Sequence, residues 1–421
     1  MLSCISRDEL ILQFQTTRQL TVHLCQPLAI EDYVIQGCDD VSPPKWHLAH
    51  TTWFFETFIL MAANKKYQPY DVLYQYLFNS YYQGAGIPYP RHQRGILSRP
   101  TVIAVLKFRD YVDHEIMEFI NNASIEILSA YYPILVLGLH HEQQHQELLM
   151  MDIKYNYSLN PGYPQYLSTK PHTTKQSINK LGWVNMTGSI VTIGHNNDSF
   201  CYDNELPVHQ HILKDYCISD RLITNDEYLE FIESGAYQQS DWWLAEAWDC
   251  IRSNSWNAPL YWQKTNNEWH TFSLSGMHKI NLYEPVTHVS YFEADAFSKW
   301  YGARLPTEHE WEHFAKTSKQ SIEDTNFLDN GIYHPRAQIS HSYQIWGDVW
   351  EWTSSAYSPY PGYKPLPGVL GEYNGKFMSN QMVLRGGSCV TPYSHIRATY
   401  RNFFAPDKRW QYSGIRLVCD P

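Results

Sequence analysis

His140-His141-Glu142-Gln143-Gln144-His145-Gln146-Glu147 is the stretch from which the architecture of this chain is read. The segment around it, Ile134 to Ile153, has the texture of a helix throughout. His141 and His145 stand four apart, so on a helix they share one face and both imidazoles point at a common partner. The pattern His-x-x-x-His-x-Glu offers a metal two neutral nitrogens and requires a third ligand from elsewhere. Histidines at this spacing also occur as satisfied core or surface residues, so the rest of the chain must supply that ligand and a pocket.

Outward from the motif, residues from about 7 to 155 are helical in texture. Leu10, Leu12, Phe14, Leu20, Leu24 and Leu28 recur amphipathically. Ser42 suits an N-cap and Pro43 a first helical turn, predicting a helix from there to about Met61. Val105, Phe108, Val112, Ile116, Phe119 and Ile120 mark another over Val102 to Ile127. With the motif helix these make four long helices, an arrangement that builds metal sites in the core of a bundle. His47 and His50, three apart on the second helix, are both candidates for the third ligand. Asn79 to Pro100 is a long connection rich in Gly, Pro, Arg and Tyr, of the kind that carries function.

After Tyr155 the texture changes. The polar run Ser168 to Lys180 reads as linker, and from Gly182 short Val-, Ile-, Tyr- and Trp-rich runs alternate with turn residues. Helices are expected at Tyr291 to Tyr301 and Thr307 to Ala315. The division is a helical bundle over 1–158, a linker over 159–181 and an α+β domain over 182–421.

Composition sets the bounds. At 421 residues the chain has room for two or three domains, and 43% hydrophobic with 18% charged residues is ordinary for a soluble protein. A net charge of −11 argues against a nucleic-acid partner, which a basic surface would attract. The aromatic fraction, 15%, is high and supplies both packing area and ring faces for cations. Eight cysteines without CxxC spacing, a start lacking a basic-then-apolar layout and no apolar run near ~18 residues lead to the expectation of a cytoplasmic protein with no membrane partner.

Trp46-His47-Leu48-Ala49-His50 taken with His141-x-x-x-His145-x-Glu147 resembles the DinB-type four-helix bundle of the sulfoxide synthases of ergothioneine biosynthesis. Asp203-Asn204-Glu205-Leu206-Pro207, Thr224-Asn225-Asp226-Glu227-Tyr228, Arg304-Leu305-Pro306-Thr307-Glu308, Gly347-Asp348-Val349-Trp350-Glu351-Trp352 and Leu384-Arg385-Gly386-Gly387-Ser388 resemble the formylglycine-generating-enzyme (sulfatase-modifying-factor, C-type-lectin-like) domain. That domain's two reactive cysteines are reduced here to Cys389, which argues against its copper chemistry. The resemblance implies an α+β multidomain protein that binds non-haem Fe(II) through His50, His141 and His145. It would use O2 to join the sulfur of cysteine or γ-glutamylcysteine to C2 of hercynine, giving an S-oxide.

Further roles follow from the resemblance. Gln144 and the Arg401-Asn402-Phe403-Phe404 stretch would line the acceptor site, with Asn402 near the carboxylate and Phe403 and Phe404 facing the trimethylammonium. The family places a tyrosine beside the metal to steer it away from simple thiol oxidation. Tyr82 or Tyr81 is the candidate, with Tyr360 and Tyr363 as alternatives. Arg91 and Arg94, three apart, make a fork for the donor's carboxylate. Competing readings are a selenoneine synthase on the same scaffold and a metal-binding module without catalysis.

Overall fold

The computed structural model describes residues 6–168, 180–322, 325–338 and 342–421, so most of the polar linker run lies outside the described residues. The chain divides into two compact units, Met1–Gly162 with Pro367–Tyr373 and Tyr163–Leu366 with Asn374–Pro421. No helix among the described residues is long and apolar enough to cross a membrane.

Four long helices build the first unit: α1 (Arg7–Cys25), α2 (Pro44–Phe55), α3 (Val102–Asn122) and α4 (Ile125–Ser158). Every residue of α2 is buried, which makes it the central helix. It begins one residue later than expected, with Pro43 at the N-cap and Pro44 at the first turn. Ser42 is not the cap, since its hydroxyl accepts from the Arg94 guanidinium at 2.8 Å. After Phe55 the helix passes through a π turn, Glu56–Leu60, where the buried Glu56 carboxylate accepts from Tyr70 N at 2.7 Å and from Gln75 Nε2 at 2.9 Å.

The third expected helix stops at Asn122. Ser124 then caps α4 by accepting from Ile127 N, and α4 runs 34 residues with Pro133 inside it. α4 approaches α2 closely at Gly138, where a Cβ would lie 2.6 Å from the Phe55 ring. That approach brings the histidines of α2 within reach of those on α4.

Behind the His141 face, Glu142 ties α4 to two other helices. It accepts from Arg18 Nη1 at 2.7 Å and Thr21 Oγ1 at 2.6 Å on α1, and from Arg109 Nη2 on α3. Arg18 also bonds Asp113 at 2.7 Å, so two guanidiniums and two carboxylates balance inside the bundle. Burial alone would raise the Glu142 carboxyl, but Arg109 and Arg18 hold it at about 2.

The second unit is α+β. Its strands are β1 (Trp183–Met186), β2 (Ile190–Ile193), β3 (His209–Ile212), β4 (Tyr216–Ser219), β5 (Trp262–Thr265), β6 (Glu268–Ser273) and β7 (Gly276–Lys279), followed by β8 (Trp350–Ala356), β9 (Met382–Arg385), β10 (Asn402–Phe404), β11 (Ser413–Gly414) and β12 (Val418–Cys419). Among the described residues they form four small sheets, ordered β1-β4-β12, β10-β9-β8-β11, β2-β3 and β5-β6-β7. The helices are α5 (Asn225–Glu233), α6 (Ala245–Ser253), α7 (Tyr291–Tyr301) and α8 (Glu308–Thr317). Thr224 with Glu227, Ser290 with Glu293 and Thr307 with Glu310 close capping boxes on α5, α7 and α8. The motifs quoted from the sequence meet inside this unit. Glu308 accepts from Arg385 at 2.7 Å and from Arg401 at 2.8 and 2.9 Å. Glu351 on β8 accepts from Trp311 Nε1 at 2.7 Å and Arg416 Nε at 2.6 Å.

Candidate metal centre and its surroundings

His50 on α2 meets His141 and His145 on α4 in a cluster whose ligand atoms all lie within 4.8 Å of one another. His50 Nε2 and His141 Nε2 are 3.2 Å apart. The expected triad is thus assembled, and the choice between His47 and His50 is made by the turn of α2.

Electrostatics suit a cation. Burial, reinforced by the neighbouring imidazoles, pushes His50 and His145 well below the ordinary histidine value, and burial with His47 brings His141 to about 3. All three are therefore neutral near pH 7 and keep lone pairs for a metal. The rings are held by different contacts. His50 Nδ1 donates to the Phe78 carbonyl at 2.6 Å, which leaves Nε2 for the cluster. Its ring lies between Trp46 at 4.5 Å and Trp53 at 5.6 Å, both nearly parallel to it. His145 is contacted at Nδ1 by His47 Nδ1, 2.8 Å away. His141 packs against Phe54 at 4.6 Å between ring centroids.

The 79–100 connection supplies the next layer. Tyr82 is fully buried against Trp53 and Phe58, and Tyr81 stacks on it with the two phenol oxygens 3.5 Å apart. Burial raises the Tyr81 phenol, keeping it protonated. Asn79 shapes this loop by accepting from Tyr82 N at 3.0 Å and donating to the carbonyls of Tyr82 and Gly86.

The two arginines of the expected fork lie in different settings on a 3-10 turn, Arg91–Ile96. Arg91 is exposed and donates to the Asp40 carbonyl. Arg94 is 5% exposed, with its guanidinium carbon 3.4 Å above the Trp46 ring. Among the described residues no carboxylate pairs with it, and its Nε has no hydrogen-bond partner. Burial, reinforced by Arg91 and opposed by the Asp152 carboxylate, lowers its pKa well below the usual guanidinium range.

One contributor escaped the sequence reading. Pro367–Tyr373 belongs to the helical unit. Within it, the Tyr373 phenol donates to Gln144 Oε1 and its ring lies edge-on to His141 at 5.8 Å. Glu372 accepts from Gln83 N at 3.0 Å and Gly84 N at 2.9 Å, fastening the loop that carries Tyr81 and Tyr82. Nothing local in the sequence signals this, because the partners are far apart along the chain.

The remaining candidates belong to the second unit. Asn402, Phe403 and Phe404 form β10, paired with β9. Phe403 stacks on Tyr357 at 4.1 Å, Phe404 meets Trp410 edge-on at 5.3 Å, and Asn402 Oδ1 accepts from Phe403 N at 2.9 Å. Tyr360 is engaged with Glu308 and Arg385, and Tyr363 donates to Asp203 at 3.1 Å.

Residues 13–149 match the DinB superfamily, and residues 168–338 and 336–421 match the sulfatase-modifying factor enzyme 1-like domain. The chain is 31% identical over 311 residues to a hercynine oxygenase of Mycobacterium tuberculosis, covering 68% of this chain and 71% of that one. It is 31% identical over 314 residues to the hercynine oxygenase of Mycolicibacterium smegmatis, with the same coverage. Ergothioneine biosynthesis protein 1 of Schizosaccharomyces pombe is 24% identical over 248 residues, 56% of this chain and 30% of that one. Identity of this extent across more than two thirds of each mycobacterial sequence, on a chain built from the same pairing of domain types that its motifs imply, means that the protein belongs to the hercynine oxygenases, the sulfoxide synthases of ergothioneine biosynthesis.

Proposed function

We propose that this protein uses dioxygen to join the sulfur of cysteine or γ-glutamylcysteine to C2 of hercynine as an S-oxide, with iron(II) held by His50, His141 and His145. The observation that carries the reading is the cluster of three neutral imidazoles, His50 and His141 buried and His145 half-buried, in a hercynine-oxygenase chain. The donor set fits the metal, since three nitrogen ligands from two helices leave coordination positions open for substrates. When bound, iron(II) supplies the one-electron chemistry with dioxygen that no side chain here provides.

The chain's own residues do the rest. Arg94 receives the thiol donor's carboxylate, an anion that would match its unpaired buried charge. The Tyr373 phenol, donating to Gln144 Oε1, holds that amide beside His141 and His145, where Gln144 hydrogen-bonds the acceptor's imidazole. Tyr82, in its dry setting of Trp53 and Phe58, holds a phenolic proton for the oxidation step and directs it toward coupling.

The test is anaerobic loading with Fe(II), followed by oxygen uptake with hercynine and each thiol and mass spectrometry of the products. Uptake that requires both substrates, with one coupled S-oxide, is expected. No uptake with either thiol overturns the reading.

A further inference from the structure

The three histidines of the cluster differ in what stands behind them, and for His145 it is a chain of hydrogen bonds ending in a carboxylate. Asp152 Oδ2 lies 3.0 Å from His47 Nε2, and both side chains are almost wholly buried. The same oxygen accepts from Ser42 N at 2.8 Å, which fixes the carboxylate in place. His47 Nδ1 in turn lies 2.8 Å from His145 Nδ1.

Counting protons along this chain leaves one arrangement for a metal site. A carboxylate accepts only, so the hydrogen between Asp152 and His47 sits on His47 Nε2. A neutral His47 then has a bare Nδ1, which accepts from His145 Nδ1–H. The lone pair of His145 is thereby placed on Nε2, toward the cluster. His50 has a neutral carbonyl behind it instead, and among the described residues His141 Nδ1 has no hydrogen-bond partner.

We infer that Asp152 and His47 are positioning residues for the metal, acting through His145. Resting on the function proposed above, the relay fixes the tautomer of one ligand, restrains its ring and makes it the most electron-rich of the three. Asp152 lies seven residues beyond His145, two turns along α4, so one helix carries both the ligand and the charge behind it. His47 lies three residues before His50 on α2, so the helix that supplies one ligand also supplies the connector for another.

Outer-sphere partners of metal-bound histidines typically affect metal affinity by about 10–100-fold. The experiment measures affinity for Co(II), an optical stand-in for iron(II), by chelator competition, alongside the cobalt absorption spectrum and the thermal midpoint of the metal-free protein. Asp152→Asn keeps an oxygen acceptor and removes the charge. His47→Phe keeps a ring and removes both nitrogens, while His47→Gln keeps one donor and one acceptor. The expected order of affinity is wild type, then His47→Gln, then Asp152→Asn, with His47→Phe lowest, and a shifted cobalt spectrum in the last two. Affinities within threefold of wild type in Asp152→Asn and His47→Phe, with unchanged spectra, overturn the relay. A lowered metal-free midpoint with unaltered affinity assigns these residues a structural role and also overturns it. Failure of the wild type itself to bind Co(II) or Fe(II) removes the functional reading instead.

Discussion

Tyr373 and Gln144 lie 229 residues apart in sequence, yet the phenol of one donates to the side-chain oxygen of the other, one helical position from His145. The contact orients an amide that borders the three-histidine cluster. Replacing Tyr373 with Phe removes one hydrogen bond, worth ~0.5–1.5 kcal/mol. We expect KM for hercynine to rise by ~2–10-fold in Tyr373→Phe with metal content unchanged. Steady-state kinetics at saturating thiol, paired with iron analysis, check this.

If Arg94 receives the donor's carboxylate as proposed, its replacement separates binding of the donor from chemistry on it. Removing a charge-assisted contact costs ~1.5–3 kcal/mol, or ~10–150-fold. Arg94→Met is therefore expected to raise the thiol KM by that factor and to alter kcat little. Arg94→Lys rescues it poorly, because an ammonium neither stacks on Trp46 as a plane nor forks to a carboxylate. Equal KM values in wild type and Arg94→Met would place the donor carboxylate elsewhere.

Tyr82→Phe removes the buried phenol while leaving the ring against Trp53 and Phe58. General acid groups contribute ~10²–10⁴-fold. We expect coupling to fall by at least about a hundredfold and thiol oxidation to the sulfinate to become the main product. An unchanged product ratio by mass spectrometry would transfer the role to Tyr81.

Gly138 permits the approach of α4 to Phe55. In Gly138→Ala a gain of ~1 kcal/mol in helix propensity opposes ~1–3 kcal/mol of overpacking. With the ring only 2.6 Å from the new Cβ, the clash wins. Lower stability to denaturant, together with weaker Co(II) binding as α2 is pushed away, is the expected outcome.

Acid sensitivity of the second unit is tied to Glu308. Burial would raise its carboxyl, but Arg401 and Arg385 override this and hold it at about 2, below the ordinary 4.5. A depressed carboxylate contributes stability above pH 4.5 that is lost as pH falls from 4.5 toward 2, about 3 kcal/mol in all. Glu308→Gln should be less stable at pH 6 and show a flatter loss through that window, measured by denaturant unfolding at stepped pH.

The parts of the site legible in the sequence are those that one helix brings together. His141 and His145 are fixed by helical spacing, and His50 follows from the family motif. The four long helices of the bundle were also visible, with misjudged ends at Asn122 and before Pro133. There Ser124 starts a new helix, and tertiary packing carries α4 through a proline. What stayed hidden depends on contacts between distant segments. Glu142, Arg18 and Arg109 look like surface charges in an amphipathic pattern, and only their mutual neutralisation buries them. Arg91 and Arg94 read as equals, but the turn exposes one and buries the other. Tyr373 and Glu372 sit in a stretch whose neighbours on both sides belong to the other unit.

Because the helical unit includes Pro367–Tyr373, it cannot be completed until most of the second unit has been synthesised. A ribosome that has released residue 162 has already delivered all three histidines, but neither the carboxylate that fastens the Tyr81–Tyr82 loop nor the phenol that orients Gln144. Those arrive some two hundred residues later, after most of the second unit has emerged. A nascent chain thus holds all three histidines of the cluster long before it holds the segment that packs against Gln144 and the Tyr81–Tyr82 loop.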